Sequence, residues 1–174
     1  MIIGLIIPGA MLKRILWYYV NIVFFKSSLF PFYGFKNVIL RLFGAKIGKM
    51  VEFKPCVNIK YPWNLSIGDE VWIGENVWLD SLVPITIGNN ICISQGVMIL
   101  TGTHNYKKPS FDLITGSVVI EDGVWLCAGA IVNKGITVGT HAILSSGSVA
   151  INNLEPHGIY QGNPAVKIRD RVFE

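Results

Sequence analysis

Three histidines, His104, His141 and His157, are the side chains of this chain best suited to moving a proton near neutral pH. Imidazole suits a base that takes the proton of an attacking hydroxyl, because its unperturbed pKa of ~6.5 lies close to working pH. His104 closes the stretch Thr101-Gly102-Thr103. It is followed by Asn105-Tyr106-Lys107-Lys108-Pro109-Ser110-Phe111, a polar segment that interrupts the regular pattern around it. A long loop thrown out of a rigid frame is a usual seat of function, and also a place where insertions are tolerated. His141 lies within Val138-Gly139-Thr140-His141-Ala142, whose apolar positions already supply the inward residues, so it reads as a solvated corner. His157 follows Pro156 in a C-terminal turn. Cys56, Cys92 and Cys127 have neither paired nor metal-binding spacing and read as small core or corner residues of a reducing compartment. No base is evidently paired with Cys127, so no covalent acyl-enzyme is expected. The histidines include no closely spaced pair, and no metal site is expected.

Other groups are suited to holding a ligand. Trp125 offers a flat indole as a wall, or is a surface aromatic. Ala128-Gly129 and Ser146-Gly147-Ser148 are small enough to let a ligand approach the backbone. Gly162-Asn163-Pro164-Ala165 is followed by Lys167, Arg169 and Arg171, cations that suit a phosphate or make an ordinary basic tail. Asp80, Asn105 and Tyr106, with Trp78 and Asp112, are of the kind that line carbohydrate sites and that also occur on any surface.

The frame for these residues is written in a period of six. Apolar residues recur at Ile67, Ile73 and Leu79, at Ile87, Ile93 and Ile99, and at Ile120, Leu126, Val132, Val138, Leu144 and Ala150. Four residues after such positions comes a second small or apolar set: Val71, Val77, Val83, Ile91, Val97, Val124, Ala130, Ile136 and Ala142. Six fits neither a helix nor a lone alternating strand. It fits a short strand plus a turn, repeated, and predicts an all-β solenoid. Ile47, Ile67 and Ile87 are twenty apart, three hexads plus two residues, whereas Ile120 and Val138 are eighteen apart. That arithmetic gives about five triangular coils, with insertions at one corner and the largest of them, residues 105–118, after the third coil.

The (Ile/Leu/Val)-Gly-x-x-Val-x run resembles the hexapeptide-repeat acyltransferases over about residues 40–170. Ile99-Leu100-Thr101-Gly102-Thr103-His104, Val124-Trp125-Leu126-Cys127-Ala128-Gly129-Ala130 and Gly162-Asn163-Pro164-Ala165 sharpen the match. Leu42-Phe43-Gly44-Ala45-Lys46-Ile47-Gly48 and Tyr61-Pro62-Trp63 look like the colanic-acid-type exopolysaccharide O-acetyltransferases. The resemblance implies a left-handed parallel β-helix and acetyl transfer from acetyl-CoA to a sugar hydroxyl of an exopolysaccharide or its lipid-linked precursor. It implies His104 as general base and a homotrimer with active sites shared between neighbours. By the same resemblance Trp125 lines the acetyl-CoA channel and an oxyanion-facing N–H lies near Ala128. Gly129, Ser146 and Gly147 continue the groove. Gly162, Asn163, Pro164 and Ala165, with Lys167 and Arg169, run along the adenosine end. Asp80 matches a sugar-contacting position, with Asn105 and Tyr106 nearby. Ala150-Ile151-Asn152 carries no cation where many relatives have Thr-Lys, which leaves open which cation meets the phosphates. Other readings are an acetyltransferase of a small-molecule or antibiotic hydroxyl, and a non-catalytic scaffold. The zinc-dependent γ-type carbonic anhydrases share such a solenoid but need a histidine set that this chain lacks.

Composition agrees with one folded domain: 51% hydrophobic and 15% charged residues exclude a disordered chain. The expected layout is an apolar, basic helical cap over residues 1–45, the β-helix over 46–155, and an extended or helical tail over 156–174. The first 51 residues hold seven Lys or Arg and no acid. Neither Ile2–Leu12 nor residues 15–25 approach the ~20 apolar residues of a spanning helix, and no signal peptide is evident. Two short helices remain, which cap the open solenoid, sit on an anionic membrane, or do both. That predicts a cytoplasmic protein, peripheral on the membrane's inner face. No nucleic-acid recognition motif accompanies the cations.

Overall fold

A computed structural model describes residues 8–30 and 32–173; most of the apolar run Ile2–Leu12 lies outside them. Alternating burial makes each short strand one side of a triangle. The first face stacks Lys46–Ile47, Leu65–Ile67, Ile85–Ile87, Val118–Ile120 and Thr137–Val138 in parallel. The second stacks Glu52–Phe53, Val71–Ile73, Ile91–Ile93, Trp125–Leu126 and Ile143–Leu144, then Gly158–Gly162 with Ala165–Asp170 antiparallel beyond it. The third stacks Asn58–Ile59, Trp78–Asp80, Met98–Leu100, Ile131–Val132 and Val149–Ala150.

Equivalent residues sit directly over one another. Ile67, Ile87, Ile120 and Val138 form one inner column, and Leu79, Ile99, Val132 and Ala150 another. All are buried. Full burial of a branched aliphatic side chain contributes ~1.5–3 kcal/mol, and in a column each residue packs on like shapes above and below. Val83 does not join them: the insertion before Pro84 gives the second inward place to Ile85, which is fully buried while Val83 is half-buried.

Five coils are complete and a sixth is begun by a bridge from Leu154 to Val138 and by the strand Gly158–Gly162. The expected count of about five is therefore short by this partial turn. The C-terminal segment is a β-hairpin closing the top, with no helix among its described residues. Between Leu100 and Val118 the chain leaves the corner of the third and first faces as an arm. Its strands Gly102–His104 and Leu113–Thr115 pair antiparallel.

The lower end has no coil beneath it, and side chains of two helices satisfy its backbone. Helix α1 (Pro8–Val20) runs on into a π-helical turn, Asn21–Phe25, and α2 spans Tyr33–Leu42. Arg41 donates to the carbonyls of Ile47 and Gly48, Asn37 to Val51, Lys36 to Phe53 and Lys54, and the Trp17 indole to Ile59. An open strand edge that is paired in this way cannot recruit another chain.

Candidate active site

His104 ends the outgoing strand of the arm and is exposed. Its ring lies flat on Phe111, with centroids 4.6 Å apart and planes at 6°. Its Nδ1 is 2.9 Å from the Phe111 carbonyl oxygen. A carbonyl only accepts, so Nδ1 carries the proton, and a neutral ring then presents a bare Nε2 lone pair. Phe111 adopts φ 49, a left-handed conformation that is costly for a bulky residue. The sequence gives no hint that Phe111 holds the imidazole on two sides.

Asn105 serves the arm itself: its N–H donates to Asp112 O and its Oδ1 accepts from Lys107 N–H. Tyr106 stands out at the tip, 78% exposed. Asp80 is buried below the root of the arm, where its main-chain carbonyl accepts from the Thr101 hydroxyl at 2.6 Å. Lys60 Nζ is 3.1 Å from Asp80 Oδ1, yet that oxygen has no hydrogen bond of good geometry, so the pair is electrostatic.

Trp125 lies on the outer side of the second face, half exposed, its indole N–H donating to Ser94 Oγ at 2.9 Å. Ala128-Gly129 and Ser146-Gly147 are stacked at the corner of the second and third faces, tied by Gly147 N–H to Ala128 O. Gly129 and Gly147 sit at φ +67 and +68, and a Cβ on either would meet nothing within 4 Å. This corner is therefore open to a ligand. The Ala128 N–H has no acceptor among the described residues, as is true of Glu75, Gln95 and Ser146 at the equivalent places. Ala128 differs from Glu75 and Gln95 in having no long side chain to cover that N–H.

The hairpin continues the same side. Outward positions Trp125, Ile143, Ile159 and Arg169 are successive partners across strands, each step ~4.8 Å. Gly162 and Ala165 flank the turn, which contains a cis Asn163–Pro164 bond, and Gly162 N–H donates to Ser148 Oγ. Lys167 donates to Asp170, which holds its ammonium above the ordinary lysine value against an opposing effect of desolvation; Glu155 also accepts from it. Arg171 binds the carbonyls of Gly123 and His141. Arg169 is left as the hairpin's cation without an acceptor among the described residues. Burial and the nearby Cys92 push the Cys127 thiol up, away from the thiolate form. His141 and His157 sit at the corner of the first and second faces at φ 59, their rings 5.3 Å apart. No group of three His, Cys, Asp or Glu positioned for a metal occurs among the described residues.

The expected site residues thus fall into two groups within one chain. Trp125, Ala128, Gly129, Ser146, Gly147 and the hairpin share the second face and its following corner. His104, Asp80, Asn105 and Tyr106 belong to the opposite corner, where the arm departs.

No family model matches the sequence. The chain is 38% identical to the colanic acid biosynthesis acetyltransferase named WcaF of Escherichia coli K12, over 94% of this chain and 90% of that protein. A hexapeptide-repeat acetyltransferase of Vibrio cholerae, solved with acetyl coenzyme A, superposes with a TM-score of 0.85 at 23% identity, covering 96% of this chain and 91% of the other. A galactoside acetyltransferase in complex with coenzyme A gives 0.86 at 20% identity, over 96% and 84%. These two structures share the fold, a left-handed parallel β-helix. With its columns, corner insertions and extruded arm, the chain belongs to the hexapeptide-repeat acetyltransferases.

Proposed function

We propose that this enzyme moves an acetyl group from acetyl-CoA to a sugar hydroxyl of an exopolysaccharide or its lipid-linked precursor. The observation that carries the reading is His104: Nδ1–H is engaged by the Phe111 carbonyl and Nε2 is left as a base on an exposed arm. Nε2 takes the proton of the acceptor hydroxyl as its oxygen attacks the thioester carbonyl. The Ala128 N–H donates to the oxyanion. Collapse of the tetrahedral adduct expels the coenzyme A thiolate, which takes the proton back from the imidazolium. The protonated state of Cys127 supports direct transfer over a covalent acetyl-enzyme. Trp125, the open corner at Gly129 and Gly147, and Arg169 on the same outward side support a lengthwise seat for coenzyme A. The separation of His104 from Trp125 within a chain supports a homotrimer in which each site takes its base from one subunit and its coenzyme wall from the next.

The substrate class rests on likeness to the colanic acid acetyltransferase. Attachment to the inner face of the cytoplasmic membrane is part of the proposal. Leu12, Leu16, Tyr19 and Val23 are exposed on the helical segment and Leu29 in the turn after it, and no described helix is long and apolar enough to cross a membrane. Lys36 has no place in that surface, since it is fully buried. The test is acceptor profiling with labelled acetyl-CoA. Transfer to saccharides and not to small-molecule hydroxyls is expected. Coenzyme A binding without transfer to any hydroxyl would overturn the reading.

A further inference from the structure

Between α1 and the third face of the first two coils lies a cavity of about 370 Å³, apart from the coenzyme side of the molecule. It is within the ~300–1,000 Å³ of ligand pockets. Its lining combines three cations, Arg14, Lys26 and Lys60, with aromatic walls from Tyr18, Tyr61 and Trp78 and no carboxylate. The guanidinium of Arg14 lies over the Tyr61 ring at 5.1 Å, which leaves its edge N–H groups free to donate. Neither Arg14 nor Lys26 has a side-chain acceptor among the described residues. Lys60 is paired with Asp80 at 3.1 Å, so Arg14 and Lys26 are the cations left to meet an anion. Asn21 and Asn58, bonded to each other at 2.8 Å, add a polar edge. Flat rings suit the C–H face of a sugar, and a cluster of Arg and Lys suits a phosphate.

The cavity stands in register with the arm. On the third face Asn58 pairs with Trp78, and Trp78 with Met98, the strand that leads into the arm. Two strand spacings, ~10 Å, separate the cavity floor from that root. We infer that the cavity is the acceptor's anchor and binds a sugar phosphate, the ring on Trp78 and the phosphate on Arg14 and Lys26, so that the acceptor is acidic. This rests on the acetyltransferase reading and narrows its substrate class. The phosphate belongs either to a soluble glycosyl phosphate or to a lipid-linked one.

Calorimetry on the full-length protein tests the inference with three probes: glucose 1-phosphate, glucose, and vesicles carrying polyprenyl phosphate. Glucose 1-phosphate is expected to bind at least about tenfold more tightly than glucose, through charge-assisted bonds. The Arg14→Ala/Lys26→Ala double variant, or the single exposed change Lys26→Glu should the double variant fold poorly, is expected to lose that advantage. Binding of the vesicles more tightly than glucose 1-phosphate assigns the phosphate to a lipid; the reverse assigns it to a soluble acceptor. Equal affinity for glucose and glucose 1-phosphate, or an unchanged advantage in the variants, overturns the inference. Coenzyme A is titrated into the same samples. If it binds while glucose 1-phosphate does not, the cavity proposal falls and the acetyltransferase reading stands; the opposite result reverses the two.

Discussion

At the scale of single residues, the proposed base is one imidazole held on two sides. Phe111 supplies both a ring beneath His104 and a carbonyl against Nδ1. His104→Ala is expected to lower kcat by ~10²–10⁴-fold, the contribution of a general base. Coenzyme A affinity should stay within a few-fold, because the residues proposed to bind the coenzyme lie on another face. His141→Ala, at a corner of the opposite edge, is expected to leave kcat nearly intact. Steady-state kinetics with a coenzyme A titration check both, and equal losses in the two variants would contradict the assignment. Phe111→Ala keeps the carbonyl and removes the ring, and should cost less than loss of the base while leaving coenzyme A binding alone. The arm that carries His104 was legible in the sequence because the period breaks just after that residue. Phe111 was not, since nothing in a sequence marks a phenylalanine that will turn left-handed.

At the scale of elements, the period exposed the columns because each inward position meets its like in the next coil. It misled only at Val83, where a corner insertion shifted the register to Ile85. The two capping helices were legible in the apolar, basic N-terminal run, but the donors they supply were not, for a different reason. Which carbonyls need a donor is decided by the three-dimensional end of the stack, so cations read as a membrane surface included Lys36 and Arg41, which serve the first coil. Burial pushes the Lys36 ammonium below the ordinary lysine value of 10.5. The folded chain then gives up this proton at lower pH than the unfolded chain and binds fewer protons between those two values. Stability attributable to this group therefore rises with pH through that window. Lys36→Met should abolish the rise, measured as the denaturant midpoint across alkaline pH. Lys36→Ala, which strips two carbonyls of their donor and leaves a hole, is expected to cost ~2–4 kcal/mol at neutral pH. A wild-type midpoint that changes with pH no differently from that of Lys36→Met would argue against a buried, desolvated ammonium.

For the whole molecule, the proposed sharing of each site between two subunits would make assembly a functional matter. His104→Ala and Trp125→Ala chains should each form weakly active trimers. Unfolded together and refolded as a mixture, they should regain activity at about a quarter of the sites, where an intact His104 faces an intact Trp125 across a cyclic interface. Mixing without recovery, or full turnover by a monomer in light scattering, would rule out the shared site. Flotation tests the membrane surface. With each cation near an anionic surface contributing ~1 kcal/mol, attachment to anionic vesicles should weaken with added salt. Indifference to lipid charge would leave the helices as caps alone.

The straight line of outward positions from Trp125 to Arg169 makes the solenoid a ruler. Its graduations are strand spacings of ~4.8 Å, and if the proposed seat is right, the coil between the indole and the hairpin fixes how long a thioester carrier can lie against it. An added or deleted eighteen-residue coil would cost the fold little, since each coil contacts only its neighbours. It would move one end of the scale against the other by a full graduation. The number of coils between the indole and the hairpin is thus the one dimension of the fold that a donor of given length would hold fixed.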